Sequence, residues 1–186
     1  MNAERIKKFS GSIFISGFMA SGKSTIGRQM AQELELPFYD LDDVIVEKEG
    51  RSINRIFEDD GEAYFREKEW QYLLELTQTT KGVISLGGGA LQNQRVVDHL
   101  KIYGILVFID TPFSEIVERV ARNDKRPILW DENGKIKSKQ TLYDELKTLY
   151  LSREKYYNQA QVSVNTSSLS AAEAAQKAIQ KISRHV

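Results

Sequence analysis

The feature that most constrains this chain is residues 12–24, SIFISGFMASGKS, in which a short apolar run leads directly into a loop containing two glycines. Residues 17–24, GFMASGKS, match the pattern G-x-x-x-x-G-K-[ST] in full. Backbone N–H groups of such a loop turn inward around phosphate oxygens, and glycines stand where side chains would collide with them. The pattern needs a strand before the loop and a helix after it, and both are predicted here. This stretch therefore predicts a site for the phosphate chain of a nucleotide.

Individual residues of the loop have separate tasks in this interpretation. Lys23 supplies positive charge to the outer phosphates, and Ser24 offers its hydroxyl to Mg²⁺. The helix that begins near Lys23 points the positive end of its dipole at the same anion. The nucleotide-binding residues predicted for the loop are Gly17, Ala20, Ser21, Gly22, Lys23, Ser24 and Thr25. The loop alone does not name a reaction, because GTPases, motor ATPases and small-molecule kinases share it.

Strand and helix patterns alternate along most of the chain. Residues 105–109, ILVFI, form a continuous apolar run typical of a strand that is covered on both faces, and residues 171–182 carry a helical pattern. This alternation predicts an α/β fold with a parallel β-sheet flanked by helices, in a single domain over residues 1–186. Two segments depart from it. Approximately residues 41–77 are interpreted as an inserted helical subdomain, and approximately residues 120–140 as a mobile basic flap.

The composition argues against several classes of partner and chemistry. Lys+Arg and Asp+Glu are equal at 26 each, so no net basic field predicts binding to nucleic acid. No run of about 18 apolar residues is present, so no membrane span is expected. The absence of cysteine removes disulfides, zinc–thiolate sites and thiol nucleophiles, and it fits a reducing cytoplasm. We therefore expect a cytoplasmic monomer that acts on a small molecule.

Carboxylates follow the second predicted strand in residues 38–43, FYDLDD. Asp40 and Asp42 lie at the carboxyl end of that strand, the edge where ligands bind in open α/β sheets. If the extended backbone persists through Asp42, both carboxylates project from one face, where one can hold Mg²⁺ and the other can accept a proton from an attacking hydroxyl. The alternative is that Asp42 or Asp43 caps the following helix. Asp110, at the end of the strand ILVFID, is a rival metal ligand.

Two further sequences are candidates for binding an anionic acceptor. Arg66 and Glu69 are three residues apart on a predicted helix and face the same way. They form either a surface ion pair of small energetic value or a carboxylate that orients a guanidinium toward a substrate. Residues 87–89 are three glycines directly after the predicted strand VIS. They form either a loose turn or a place where a ligand approaches the backbone closely.

Two arginines near the end of the chain are candidates of a weaker kind. Arg126 lies in KRPIL within the basic flap and can swing over transferring phosphates in the manner of an arginine finger. Arg153 lies on a helix predicted over residues 141–160 that runs back toward the core. As isolated residues, both are also typical of solvated surface charges.

Taken together, the motifs resemble the shikimate kinase family, small P-loop kinases of the nucleoside-monophosphate-kinase-like group. The resemblance covers nearly the whole chain and rests on six sequences in order, GFMASGKSTIGR, YDLDD, GRSINRIFEDDGEAYFREKE, SLGGGA, RPIL and SREKYY. It implies a P-loop NTPase fold with a substrate-binding subdomain at approximately residues 41–77 and a lid at approximately residues 120–140. It also implies ATP-dependent phosphorylation of the 3-hydroxyl of shikimate, with Mg²⁺, in aromatic amino acid biosynthesis.

The resemblance further implies roles for single residues. Asp40 would join Ser24 in the magnesium shell, with Ser85 on the surrounding water network, and Arg119 would stack near adenine. The implied catalytic residues are Lys23, Asp42 and Arg126, with Arg126 also contacting the nucleotide from the lid. The implied shikimate-binding residues are Asp42, Phe57, Phe65, Arg66, Glu69, Gly87, Gly88, Gly89 and Arg153. The rival hypotheses are a kinase for gluconate or a nucleoside monophosphate, and a regulatory nucleotide-binding module without turnover.

Overall fold

A parallel β-sheet organises the part of the chain that the computed structural model describes, residues 6, 9–122 and 127–186. Its five strands lie in the order β2–β3–β1–β4–β5, and every pairing is parallel. The strands are β1 (Ser12–Ser16), β2 (Phe38–Asp40), β3 (Val83–Ser85), β4 (Gly104–Asp110) and β5 (Val162–Asn165). The predicted fold class, a parallel sheet flanked by helices as in P-loop NTPases, is confirmed.

Helices connect the strands and cover both faces of the sheet. They are α1 (Lys23–Leu34), α2 (Leu41–Glu49), α3 (Ile53–Thr79), α4 (Gln94–Tyr103), α5 (Phe113–Ala121), α6 (Lys139–Tyr157) and α7 (Ala171–Ile182), with a short 3-10 helix at Pro127–Leu129. Because a parallel sheet is covered on both faces, the inner strands β1, β3 and β4 are buried along almost their whole length. The edge strand β5 instead alternates buried valines with exposed polar residues. In β1, Phe14 packs into the hydrophobic cluster on one face, whereas Ile13 and Ile15 pack into the cluster on the other.

The strand register brings the polar loops to one edge of the sheet. Central strand β1 pairs with both neighbours, so that Ile15 lies between Ser85 of β3 and Val107 of β4. On the far side of β3, Asp40 is the register partner of Ser85. The segments that follow β1, β2 and β3 therefore emerge side by side, which is where ligands bind in sheets of this kind.

Helices α2 and α3 lie between β2 and β3, in the segment that the sequence predicts as an inserted helical subdomain. Asp40 is the N-cap of α2, and its Oδ1 accepts a hydrogen bond from the Asp42 backbone N–H at 3.2 Å. The condition that the extended backbone persists through Asp42 is not met, because the helix begins at Leu41. The alternative, a cap at Asp42 or Asp43, is wrong, since both residues lie in the first helical turn. Helix α3 is kinked at Gly61, whose φ of 79° departs from helical geometry.

The described part of the predicted flap contains local structure. Trp130 and Ile136 form an antiparallel bridge around a turn in which Gly134 has a φ of 71°. Lys137 Nζ pairs with Glu145 Oε2 of α6 at 2.6 Å, which ties the end of this hairpin to the helix that follows. Arg126 lies outside the described residues. Within the described stretches, no helix is both long and apolar enough to cross a membrane.

Candidate active site

The loop between β1 and α1 has the backbone shape that a phosphate cradle requires. A Cβ atom at Gly17 would lie 2.7 Å from Ser21 Oγ and 2.9 Å from the Ile109 carbonyl oxygen, so only glycine fits there. Gly22, the N-cap of α1, has a φ of 90°. Ala20 also has a positive φ, 59°, although it carries a side chain. Strained residues of this kind persist only where surrounding structure enforces them, and they are typical of ligand-binding loops.

Hydrogen bonds within the protein hold the polar groups of the loop in place. Lys23 Nζ donates to the Phe18 carbonyl oxygen at 3.0 Å, across the mouth of the loop. The Thr111 hydroxyl, at the end of β4, donates to the Ser21 carbonyl oxygen at 2.9 Å. The Ser21 hydroxyl itself is buried and has no hydrogen-bond partner among the described residues. This hydroxyl packs inside the loop against Gly17, where it leaves no room for a side chain.

Two neighbouring cavities that share lining residues lie along this loop. The first, of about 460 Å³, is lined by Met19, Ala20, Gly22, Lys23, Ser24, Thr25, Asp40, Asp42, Ser85, Leu86, Gly88 and Arg119. The second, of about 240 Å³, shares Gly22, Thr25 and Arg119 and extends to Thr166, Leu169 and Ser170. Arg119 NH1 donates to the Ala20 carbonyl oxygen at 3.2 Å, which places the guanidinium where the two cavities join. The family resemblance implies that adenine lies beside Arg119, and this stays a prediction.

Side-chain oxygen atoms suited to binding Mg²⁺ line the first cavity. Ser24 Oγ donates to Asp40 Oδ2 at 2.5 Å and lies 3.3 Å from Ser85 Oγ. Mg²⁺ prefers one or two such protein oxygens together with waters and substrate phosphates, so the residues present fit the ion. Asp40 thus caps α2 with Oδ1 and accepts a hydrogen bond from Ser24 with Oδ2.

Asp110, the rival metal ligand, faces a different neighbour. Its Oδ2 accepts a hydrogen bond from Asn165 Nδ2 at 2.9 Å, and the residue does not line the first cavity. The register explains the difference, because Asp40 borders Ser85 on β3 whereas Asp110 borders Asn165 on β5. The structure therefore favours Asp40 as the carboxylate that joins Ser24.

Asp42 lines the first cavity together with Asp40. Burial raises the pKa of Asp42, and the negative charge of Asp40 adds to this, while Lys23 acts in the opposite direction. A Cβ atom at Gly87 would lie 3.0 Å from Asp42 Oδ1 and 2.7 Å from Glu69 Oε1. Two carboxylates therefore converge on the first glycine of the triplet, and a side chain there would displace at least one of them.

The pair formed by Arg66 and Glu69 is largely removed from solvent. Arg66 NH1 donates to Glu69 Oε2 at 2.7 Å, and Glu69 is only 4% exposed. The Glu69 Oε1 atom is buried without a hydrogen-bond partner in the described residues. Burial raises the pKa of Glu69, and Arg66 only partly offsets this. The surface-pair alternative is therefore wrong, since one partner is buried beside the glycine triplet.

Arg66 has a second carboxylate partner one helical turn earlier. Its NH2 and Nε atoms lie 3.2 and 3.3 Å from Glu62 Oε1. Burial lowers the pKa of Arg66, but Glu69 and Glu62 outweigh this and the pKa is raised. A Cβ atom at Gly89 would lie 2.6 Å from Arg66 NH2, so the third glycine makes room for the guanidinium.

Arg153 reaches the glycine triplet from the opposite side. Its NH1 donates to the Gly88 carbonyl oxygen at 3.0 Å, and its guanidinium lies 5.7 Å from the centre of the Phe18 ring. With the Gln92 amide oriented so that its oxygen faces the guanidinium, Gln92 Oε1 accepts from Arg153 Nε and NH2 at 3.0 and 2.9 Å. Burial lowers the pKa of Arg153. The residue is therefore a built part of the site rather than a solvated surface charge.

The two phenylalanines of the subdomain lie against each other. The ring centres of Phe57 and Phe65 are 4.8 Å apart, and Arg66 stacks 5.1 Å from the centre of the Phe65 ring. Phe65 is buried, whereas Phe57 is 38% exposed. Their role in shaping the acceptor pocket stays a prediction.

Several site residues were not found from the sequence. Glu62 was detectable in principle, because it lies four positions before Arg66 on a helix. Gln92 and Tyr157 reach the glycine triplet from other elements, and Thr111 meets Thr166 across two strand ends at 2.9 Å. Contacts of this kind leave no local pattern in the sequence.

Comparison with known proteins agrees with this geometry. The family model for shikimate kinase matches residues 19–183. The shikimate kinase of Aquifex aeolicus is 41% identical over 82% of this chain and 84% of its own length. That of Chlorobium luteolum is 35% identical over 100% of this chain and 92% of its own length.

Solved structures give the same result. The shikimate kinase from Acinetobacter baumannii, in complex with shikimate, superposes with a TM-score of 0.86 at 33% identity, with 98% of each chain covered. A gluconokinase from Sinorhizobium meliloti has a TM-score of 0.52 at 18% identity, over 95% of this chain and 94% of its own, and shares the fold alone. The family match, the curated relatives and the site geometry agree, and the chain belongs to the shikimate kinase family.

Proposed function

We propose that this chain transfers the γ-phosphoryl group of ATP to the 3-hydroxyl of shikimate, giving shikimate 3-phosphate and ADP in aromatic amino acid biosynthesis. The observation that carries the proposal is the convergence of Arg66 and Arg153 on one glycine triplet beside a phosphate cradle. Two guanidiniums suit a carboxylate because each offers a planar fork of donors. Asp42, between them and the cradle, suits a hydroxyl of the same molecule.

The donor half of the site is built from the loop and the end of β2. Backbone N–H groups between Gly17 and Thr25 would bind phosphate oxygens, and Lys23 would turn its ammonium toward them. Ser24 and Asp40 would hold Mg²⁺, which when bound shields the charge of the phosphates. Arg119 would lie against the base. These assignments are supported by the cavity lining and by the Ser24–Asp40 hydrogen bond.

The acceptor half orients one hydroxyl for in-line attack. Arg66 and Arg153 would bind the carboxylate of shikimate, while Glu69 holds Arg66 in place. Asp42 would accept the proton of the 3-hydroxyl as the hydroxyl oxygen bonds to the γ-phosphorus. The bond between the γ-phosphorus and the β–γ bridging oxygen breaks, which releases ADP. Positioning supplies much of the rate enhancement in such a transfer.

The remaining assignments are also part of the proposal. Arg126 would face the phosphates from a lid at approximately residues 120–140, and lid closure would exclude water so that ATP is not hydrolysed. The subdomain at approximately residues 41–77 would close over shikimate within a single domain of residues 1–186. We further propose a cytoplasmic monomer that binds neither nucleic acid nor membranes.

The experiment that tests the function is an acceptor panel. Purified protein with MgATP is assayed for ADP release with shikimate, gluconate and CMP, and without acceptor. We expect release that depends on shikimate and exceeds release with the other two by at least about 100-fold, because a site built to pair a substrate group rejects analogues that lack it. A larger signal with gluconate or CMP would refute the proposal, and no acceptor-dependent signal would favour a regulatory module.

The proposed proton acceptor is tested by Asp42→Asn. The variant should lose at least about 100-fold in kcat, the range expected for removal of a general base. Asp42 must be ionised to accept a proton, so wild-type kcat/KM should fall as the pH decreases through the pKa of Asp42. Because burial and Asp40 raise this pKa, the fall should occur at a pH above 3.8, the usual pKa of aspartate. The residual activity of the variant should lack this acid limb.

Thermal unfolding supplies the control for Asp42→Asn. A raised pKa in the fold means that the carboxylate destabilises the protein once the pH exceeds that pKa, and the neutral amide removes this penalty. The unfolding midpoint at pH 7 should therefore be equal to or above that of the wild type. Turnover near the wild-type value, with an unchanged pH profile, would show that Asp42 is not the base.

The carboxylate-binding role of Arg66 is tested by Arg66→Lys. Lysine keeps a positive charge next to Glu69 but loses the planar fork, so the KM for shikimate should rise by roughly tenfold while the KM for ATP stays unchanged. Arg55→Lys is the matched control, because Arg55 lies on the same helix and pairs with Glu58 and Asp59 at its exposed surface. An unchanged KM for shikimate in Arg66→Lys would remove Arg66 from the site.

A further inference from the structure

We propose that Tyr157 is a positioning residue for the acceptor half of the site: its hydroxyl fixes the Gly88 carbonyl group and thereby the orientation of Arg153. The inference rests on the proposed function, since it concerns how Arg153 is presented to the carboxylate of the acceptor. It goes beyond that function by adding a residue that does not touch the substrate.

The geometry that carries the proposal is a carbonyl oxygen shared by two donors. Tyr157 Oη donates to the Gly88 carbonyl oxygen at 2.7 Å, and Arg153 NH1 donates to the same oxygen at 3.0 Å. The two residues are four apart on α6 and therefore lie on one face of that helix. A carbonyl oxygen has two lone pairs and can accept both bonds at once. Two side chains of helix α6 thus donate hydrogen bonds to one atom, the carbonyl oxygen of the middle glycine of the triplet.

Arg153 depends on that atom for its orientation. Its Nε and NH2 atoms are directed at Gln92 Oε1, and its NH1 at Gly88. A guanidinium has five N–H donors. Three are directed at Gln92 Oε1 and the Gly88 carbonyl oxygen, the Tyr157 hydroxyl also contacts the group, and the donors that remain are available to a ligand carboxylate. If the Gly88 carbonyl group tilts, the plane of the Arg153 guanidinium tilts with it. The N–H donors that remain then no longer point at the carboxylate of the acceptor.

The Tyr157 ring is itself held firmly. The residue is 2% exposed, and its ring is stacked on Phe108 of β4 with ring centres 5.0 Å apart and planes 7° from parallel. A phenylalanine would fill the same space and keep the same stack. The hydroxyl is therefore explained by its bond to Gly88 rather than by packing. Burial raises the pKa of Tyr157 to about 12, so the hydroxyl remains a donor over the working pH range.

The test begins with Tyr157→Phe in the full chain. Loss of one buried hydrogen bond should raise the KM for shikimate by roughly 3- to 10-fold. The KM for ATP should stay within about twofold, and the thermal midpoint should change little because the stack on Phe108 is kept. Tyr143→Phe is the matched control, since Tyr143 lies on the same helix at an exposed position and packs edge-on against Phe113.

A double-mutant comparison separates positioning from loss of structure. In an Arg153→Ala background, Tyr157→Phe should change the KM for shikimate by less than about twofold, because no guanidinium remains to be oriented. Gln92→Leu, which removes the other acceptor of Arg153, should raise the same KM in the wild-type background. An unchanged KM for shikimate in Tyr157→Phe, an equal rise in both KM values, or a full effect without Arg153 would overturn the inference. Absence of shikimate turnover in the wild type would instead refute the proposed function.

Discussion

The parallel pairing of β1 with β3 and β4, and of β2 with β3, is the constraint on which the site depends. Parallel strands end at the same edge, so the phosphate loop, the aspartates after β2 and the glycine triplet after β3 meet there without any long excursion of the chain. The contact between Ser24 and Asp40 follows from this register, because Asp40 is the partner of Ser85 and Ser85 lies 3.3 Å from Ser24. The sheet thus joins the donor half of the site to the subdomain that begins at Leu41.

The site also brings several buried charged groups close together. Three carboxylates, Asp40, Asp42 and Glu69, lie near one another, and burial raises the pKa of both Asp42 and Glu69. Lys23 and Arg66 partly compensate them. Such an arrangement is unfavourable for stability and is typical of active sites, where function requires groups that the fold alone would not choose. Bound phosphates, Mg²⁺ and an anionic acceptor would change this balance of negative and positive charge most strongly at the residues that contact them.

Much of the fold could be predicted from the sequence because the signals are local. The apolar run before the phosphate loop forms β1, and α7 has the bounds that its helical pattern predicts. The sequence does not predict the cap of α2, because three aspartates within four residues are similar candidates and only the end of β2 decides between them. For Arg66 and Glu69, the spacing predicted contact correctly but could not predict burial, which depends on the glycine triplet that covers them. Tyr157 and Gln92 act on that triplet from distant positions, so tertiary contacts alone reveal them.

The central claim is that the carboxylate of β2, and not that of β4, completes the nucleotide site with Ser24. The most direct measurement is the Mg²⁺ concentration that gives half-maximal ADP release at saturating ATP and shikimate, in Asp40→Asn and Asp110→Asn. The account predicts that this concentration rises by roughly tenfold or more in Asp40→Asn, the range expected when a group that supports a metal is removed, and stays at the wild-type value in Asp110→Asn. An increase confined to Asp110→Asn would contradict it.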